Sequence, residues 1–173
     1  VPEIYTIGHA ARSWAEFVDL LHHQGITLLV DIRRFPGSRH APQFNEETMR
    51  AALADEGIGY QHLPDLGGRR RALPDSPNTA WRHPSFRGYA DYMETSEFQA
   101  SLHELIELAQ TERVAIMCAE AVWWKCHRSM VADALLAKGW QVWHILDDGE
   151  PRTHRFTAPA RLVDGALTYR PDL

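Results

Sequence analysis

Long apolar runs are missing from this 173-residue chain. Nothing approaches the roughly 18 consecutive apolar residues of a membrane helix, so no membrane-spanning role is expected. The opening residues "VPEIYTIGH" lack the basic and apolar regions of a secretory signal, and a cytoplasmic address is the expectation. Cysteine is scarce, with Cys118 and Cys126 the two in the chain. They permit one disulfide at most, and in a reducing compartment that pairing is transient rather than structural. Ten histidines are present but scattered, with no H-x-x-x-H or C-x-x-C spacing. Cys118, Cys126 and His127 with a remote His9 or His144 make a conceivable zinc set. The spacing between the cysteines is not a common zinc spacing and no second pair supports it, so no metal is expected. Positive charge is not in excess either. A net charge of −5 argues against a surface that coats nucleic acid, while a local basic groove stays possible.

What is present reads as one domain over residues 1–173, ordinary in its 45% apolar and 24% charged content. A chain of this length buries about 70% of its unfolded surface. "EIYTIGH" reads as a first strand. "SWAEFVDLLHHQG" follows as an amphipathic helix, with a Ser13-x-x-Glu16 capping box and Gly25 past its end. "ITLLVDIRR" has the branched, apolar character of a strand covered on both faces. "FPGSRHAPQF" is a loop, and Asn45 is placed to cap the helix "EETMRAALADEG". "IGYQHL" is a third strand. Residues 64–86 form a long irregular loop, of a length that is often functional or partly disordered. "YADYMETSEFQASLHELIELAQ" is helical. A strand from Val114 to Met117, a loop and a helix from Cys126 to Lys138 come next, then "WQVWHIL" as a final central strand. Alternating strands and helices predict an α/β three-layer sandwich with a mainly parallel central sheet. Ligands of such sheets bind beyond the carboxyl ends of the strands, near a topological switch point. Gly8-His9, Asp31-x-Arg33 and Cys118-x-Glu120 fall at such ends.

Several clusters carry chemistry. In "KCHR", Lys125 to Arg128, three cationic or titratable residues crowd a helix start, which already carries partial positive charge. A bound anion resolves that conflict; side chains turned to solvent or paired with Glu120 resolve it too. Cys126 at the same place is a candidate nucleophile with His127 as base, or else a small buried hydrophobe, and Cys118 stands under the same alternative. Asp31 ends a buried strand, where an acid needs a partner or a role. Arg33, Arg34, Ser38, Arg39 and His40 follow it as an anion receptor, or Asp31 forms an ion pair with Arg33 or Arg128 that shapes the loop. "LGGRRR" is a mobile clamp or a solvated charge run. Trp123 and Trp124 either stack on a ligand ring or cover the sheet edge.

Taken together, "YTIGH", "VDIRRFPGSRHAPQF", "GIGYQHLPDLGG", "FRGYADYM", "MCAE", "CHR" and "HI" resemble the domain-of-unknown-function 488 family from Tyr5 to Ile145. The resemblance implies a bacterial-type cytosolic α/β domain and says little about reaction. Its motif residues fall on Gly8, His9, Asp31, Arg33, Pro36, Ser38, Phe44, Gly67, Gly68, Tyr89, Cys118, Glu120, Cys126, His127, Arg128 and His144. The leading expectation is an enzyme, a hydrolase or transferase, acting on a small anionic ligand that is nucleotide-like or otherwise phosphorylated. Glu120, His9 and His127 are its candidate proton carriers, and Cys126 or Cys118 its nucleophile. Asp31, Arg33, Ser38, Arg128, Gly67, Gly68, Tyr89 and His144 are the candidate ligand-binding residues. No cofactor is firmly implied and no oligomeric state is legible. Rhodanese-like sulfur transfer is an alternative, on the Asp-x-Arg strand of "LLVDIRRFPG", although the short Cys-to-Arg catalytic loop is absent. A nucleic-acid-binding module using Arg69 to Arg71, Trp123, Trp124 and Lys125 is another, disfavoured by net charge. A partner-binding domain without chemistry comes last.

Overall fold

The computed structural model describes residues 2–173. Its main sheet holds β1 (Glu3–Gly8), β2 (Leu28–Asp31), β3 (Gly59–His62), β4 (Val114–Cys118), β5 (Gln141–His144) and β6 (Arg152–Thr153), in the order β3-β2-β4-β1-β5-β6. The first five run parallel and β6 is antiparallel to β5. Strand alternation sends the two rows of β4 to opposite layers. Ala115 and Met117 pack with α1 (Trp14–His23) and α2 (Glu46–Asp55). Val114, Ile116 and Cys118 pack with α3 (Pro84–Met93), α4 (Ser96–Thr111) and α5 (Arg128–Ala137). The result is the three-layer, mainly parallel α/β sandwich that the sequence predicts, in a single domain. Among the described residues no helix is long and apolar enough to cross a membrane.

Topology fixes where a site can form. β1 leads into α1 on one face, whereas its neighbour β4 leads into α5 on the other, so the two chains part at their carboxyl ends and leave a crevice. Gly8 pairs with Cys118 at that point. The contact continues past the strands, with His9 N donating to Cys118 O and Ala10 N to Ala119 O, each at 2.9 Å.

Several local expectations are revised. The stretch read as one helix after residue 88 is two, α3 and α4; Thr95 interrupts it by accepting from Phe98 N as an N-cap. Asn45 does stand at the N-cap of α2, but its carboxamide accepts from Ser38 N at 2.7 Å instead of capping the helix. β5 lies inside the sheet between β1 and β6, and the two-residue β6, in a stretch read as a turn, forms that edge. A hairpin of β7 (Arg161–Val163) and β8 (Ala166–Thr168) turns on Asp164 and Gly165, whose φ values of 52° and 79° suit a tight two-residue turn. The 64–86 loop is tied down by Asp91, which accepts from Leu73 N, Ser76 Oγ and Asn78 Nδ2. Close approach of its backbone to α3 requires Gly88, since a Cβ there would lie 2.1 Å from Arg70 O.

Candidate functional site

A cleft of about 360 Å³ opens at the carboxyl ends of β1, β2 and β4. Its floor is sulfur. Cys118 closes β4, and Cys126 returns beside it just before α5, bringing the two Sγ atoms to 2.9 Å with both thiols free. The return is possible because the loop after β4 lies directly on β1. A Cβ on Gly8 would stand 1.7 Å from the Glu120 carbonyl oxygen, so glycine is required there.

His127 completes this floor. Its Nε2 lies 3.2 Å from Ile32 O, and a carbonyl only accepts, so Nε2 carries the ring hydrogen. That leaves the Nδ1 lone pair facing Cys126 Sγ at 3.3 Å. Burial holds the His127 pKa at about 4, against the pull of the Ile32 carbonyl, and the ring is neutral at neutral pH. Tyr89 buttresses the ring at 5.0 Å between centroids, while its own hydroxyl donates to Leu66 O. Gly68 passes so close that a Cβ would lie 2.9 Å from Nδ1, and Gly67 passes Arg34 with the same intimacy.

Beneath the loop lies Arg128, 1% exposed. Its Nη2 donates to Ala121 O at 3.3 Å, while Nε and Nη1 have no partner among the described residues. A guanidinium in this setting favours a nearby anion. Burial works against a thiolate at Cys118, but the Cys126 S–H, the Arg128 charge and the Glu120 backbone favour one, and the Cys118 pKa settles at about 7. The neighbouring Cys118 sulfur and burial push Cys126 up in turn. Of the two sulfurs, Cys118 is therefore the one whose thiolate is favoured, with the Cys126 S–H directed at it.

One wall is a closed ion pair. Asp31, wholly buried, accepts from Arg33 Nε at 2.9 Å, Arg33 Nη2 at 2.7 Å, Arg33 N at 3.0 Å and Tyr60 Oη at 2.5 Å. Arg33 Nη2 also donates to Phe44 O, and Nη1 lies 3.3 Å from His9 Nε2. His9 Nδ1 donates to Ala10 O, so Nε2 is the acceptor, and burial lowers the pKa of the ring. The opposite wall is open and cationic. Arg34 and Arg69 place their guanidinium carbons 5.3 and 5.9 Å from the centroid of Phe35, a ring 62% exposed at the mouth. Arg34 Nη1 braces this rim by donating to Arg69 O at 3.0 Å.

The model for the family described as "Domain of unknown function DUF488" matches residues 13–135. The chain belongs to the DUF488 family. No curated protein and no solved structure shows a significant match.

Within this DUF488 domain the cleft brings together His9, Arg33, Ser38, Gly68, Cys118, Glu120, Cys126 and His127 from among the sequence candidates. Asp31, Tyr89, Gly67 and Arg128 stand behind its lining. The Arg33 fork is spent on Asp31, which leaves it little to offer a ligand. Ser38 Oγ accepts from His40 N and shapes the loop. Glu120 is exposed on the rim. His144 is elsewhere: it pairs with Thr6 on β1, its Nδ1 lies 2.6 Å from Thr6 Oγ1, and the chain of contacts continues through His154 to Asp133 at 2.8 Å per step. Trp123 stacks flat on His144 at 4.1 Å and so covers the sheet edge, whereas Trp124 is 56% exposed. Among the described residues no cluster suits a metal ion. Phe35 was missed by sequence reasoning. Its signal was an aromatic residue set between arginines and proline in a loop.

Proposed function

We propose that the cleft is the active site of a thiol-dependent enzyme whose substrate is a small anion. The observation behind this reading is the free pair of sulfurs 2.9 Å apart on the cleft floor, with the buried, acid-free guanidinium of Arg128 below. Cys118 acts as nucleophile, since the thiolate is the reactive form and the Cys126 S–H and the Arg128 charge favour one on this sulfur. His127 Nδ1 and the Cys126 thiol govern the proton beside it. Arg34 and Arg69 hold the anion at the mouth, a role that the occupied fork of Arg33 leaves to them. Glu120 stands on the rim to orient or exchange a proton with the bound group.

Iodoacetate and iodoacetamide separate the two halves of this reading. Both alkylate thiolates, but only the first is anionic. Relative to a free small thiol, the cleft is expected to favour iodoacetate by about tenfold, with the advantage lost in an Arg34→Ala, Arg69→Ala double variant. Peptide mass mapping locates the label. Equal preference in cleft and free thiol contradicts the anion rim, and absence of label at Cys118 and Cys126 in the folded chain contradicts the thiol site.

A further inference from the structure

We infer that Cys118 and Cys126 form a two-electron dithiol centre whose substrate is a small anionic disulfide. This rests on the thiol active site proposed above and names its reaction. A single-thiol nucleophile needs a base and donors around it. It has no use for a second sulfur at 2.9 Å, which would attack and release any mixed disulfide formed on the first. The same position is what a resolving thiol needs. A disulfide requires the sulfurs to close to about 2.05 Å, a shift of roughly 1 Å from their present contact. One partner sits at the end of a central strand and the other in the turn entering α5, whose backbone at Arg128 supports Cys126.

The steps balance with residues already in place. The Cys118 thiolate attacks one sulfur of the substrate disulfide; a mixed disulfide forms and the other half leaves as a thiolate. Cys126 then gives its proton to His127 Nδ1, 3.3 Å away, and attacks Cys118 Sγ. The Cys118–Cys126 bond forms as the bond to the first substrate half breaks, and His127 passes the proton to the departing thiolate. One protein thiolate and one protein thiol are oxidised to a disulfide, and the substrate disulfide is reduced to one thiolate and one thiol. Arg128 fits this cycle because negative charge rests on the sulfur pair in the reduced state and disappears on oxidation. The rim fits it as well: Arg34 and Arg69 attract an anionic substrate and stabilise each thiolate as it leaves. Phe35, between them, offers an apolar face to the substrate carbon chain.

The probe is oxidised glutathione, an anionic disulfide, incubated with the reduced full chain, followed by a maleimide quench and intact mass. The wild-type chain is expected to become lighter by a pair of hydrogens and to resist maleimide. Cys126→Ser is expected to stop at a mixed disulfide on Cys118, and Cys118→Ser to form no adduct. Cystamine, a cationic disulfide, is expected to react about tenfold more slowly. Mixed disulfides that persist on the wild-type chain overturn the inference. So does a persulfide on Cys118 from thiosulfate in a chain inert to glutathione disulfide, which points to sulfur transfer. If disulfides fail while iodoacetate still labels Cys118, the dithiol cycle falls and the thiol site stands; if neither reagent reacts, both fall.

Discussion

Asp31→Ala is expected to lower the unfolding free energy by about 3–5 kcal/mol, the usual result of stranding one half of a buried ion pair. Asp31 is wholly buried and Arg33 is 8% exposed, so neither charge has water to turn to. Removal of the carboxylate strips Arg33 Nε, Nη2 and N of an acceptor and leaves the Tyr60 hydroxyl without one. The guanidinium stays behind, desolvated, beside His9. Replacing Arg33 by methionine in the same chain removes that stranded charge and is expected to recover part of the loss. Urea denaturation checks both, with a lowered midpoint at unchanged slope as the expected signature. A loss under about 1 kcal/mol would show that the pair is not held dry, since exposed ion pairs contribute only that much. The cleft depends on this wall, because the Arg33 fork anchors His9 and the Phe44 carbonyl together.

Arg128→Met is expected to move stability and reactivity in opposite directions. An apolar side chain of similar volume avoids the cost of a buried, poorly bonded guanidinium, so stability at a pH where Cys118 is protonated should hold or rise by about 1–4 kcal/mol. The sign for the thiol is the reverse. Arg128 favours the charged form of Cys118, so its loss raises the pKa from about 7 toward the ordinary thiol range. Below that range each unit of rise removes about nine-tenths of the thiolate, so alkylation at mildly acidic pH should slow by about tenfold or more. Reactivity that survives this change would show that Arg128 is there for the fold alone. A stability loss joined to full reactivity would reverse the account of this residue.

Much of the architecture was legible in the sequence, because buried parallel strands announce themselves. "ITLLVDI" and "RVAIMC" have the apolar, branched runs that only a two-sided burial tolerates. The capping box at Ser13 and Glu16 formed as read. The break at Thr95 escaped because neither proline nor glycine marks it, and the apolar spacing resumes immediately. Asp164-Gly165 is a strong turn signal, yet strands of three residues are too short for alternation to reveal.

The site was legible as a place more than as a mechanism. Strand-end logic set His9, Arg33, Cys118 and Glu120 on one edge. Hydrogen-bond consumption is a different kind of information: nothing in "VDIRR" shows that Arg33 is fully engaged while Arg34 faces the cleft. An eight-residue offset between two cysteines likewise says nothing of how close the sulfurs lie. His144 looked like a strand-end ligand, but its register against Thr6 commits it to the chain through His154 to Asp133. Arg128 was expected to meet an anion at the helix start. It lies buried under the loop, with Ala121 O as the acceptor of its Nη2.

The most direct test of the thiol centre is the pH profile of Cys118 alkylation in the folded wild-type chain, followed residue by residue with iodoacetamide. The account predicts a rate that reaches half its plateau near pH 7, set by the Cys126 thiol and Arg128. A midpoint near the ordinary thiol value of about 8.5, or labelling that begins only when the chain unfolds, would contradict it.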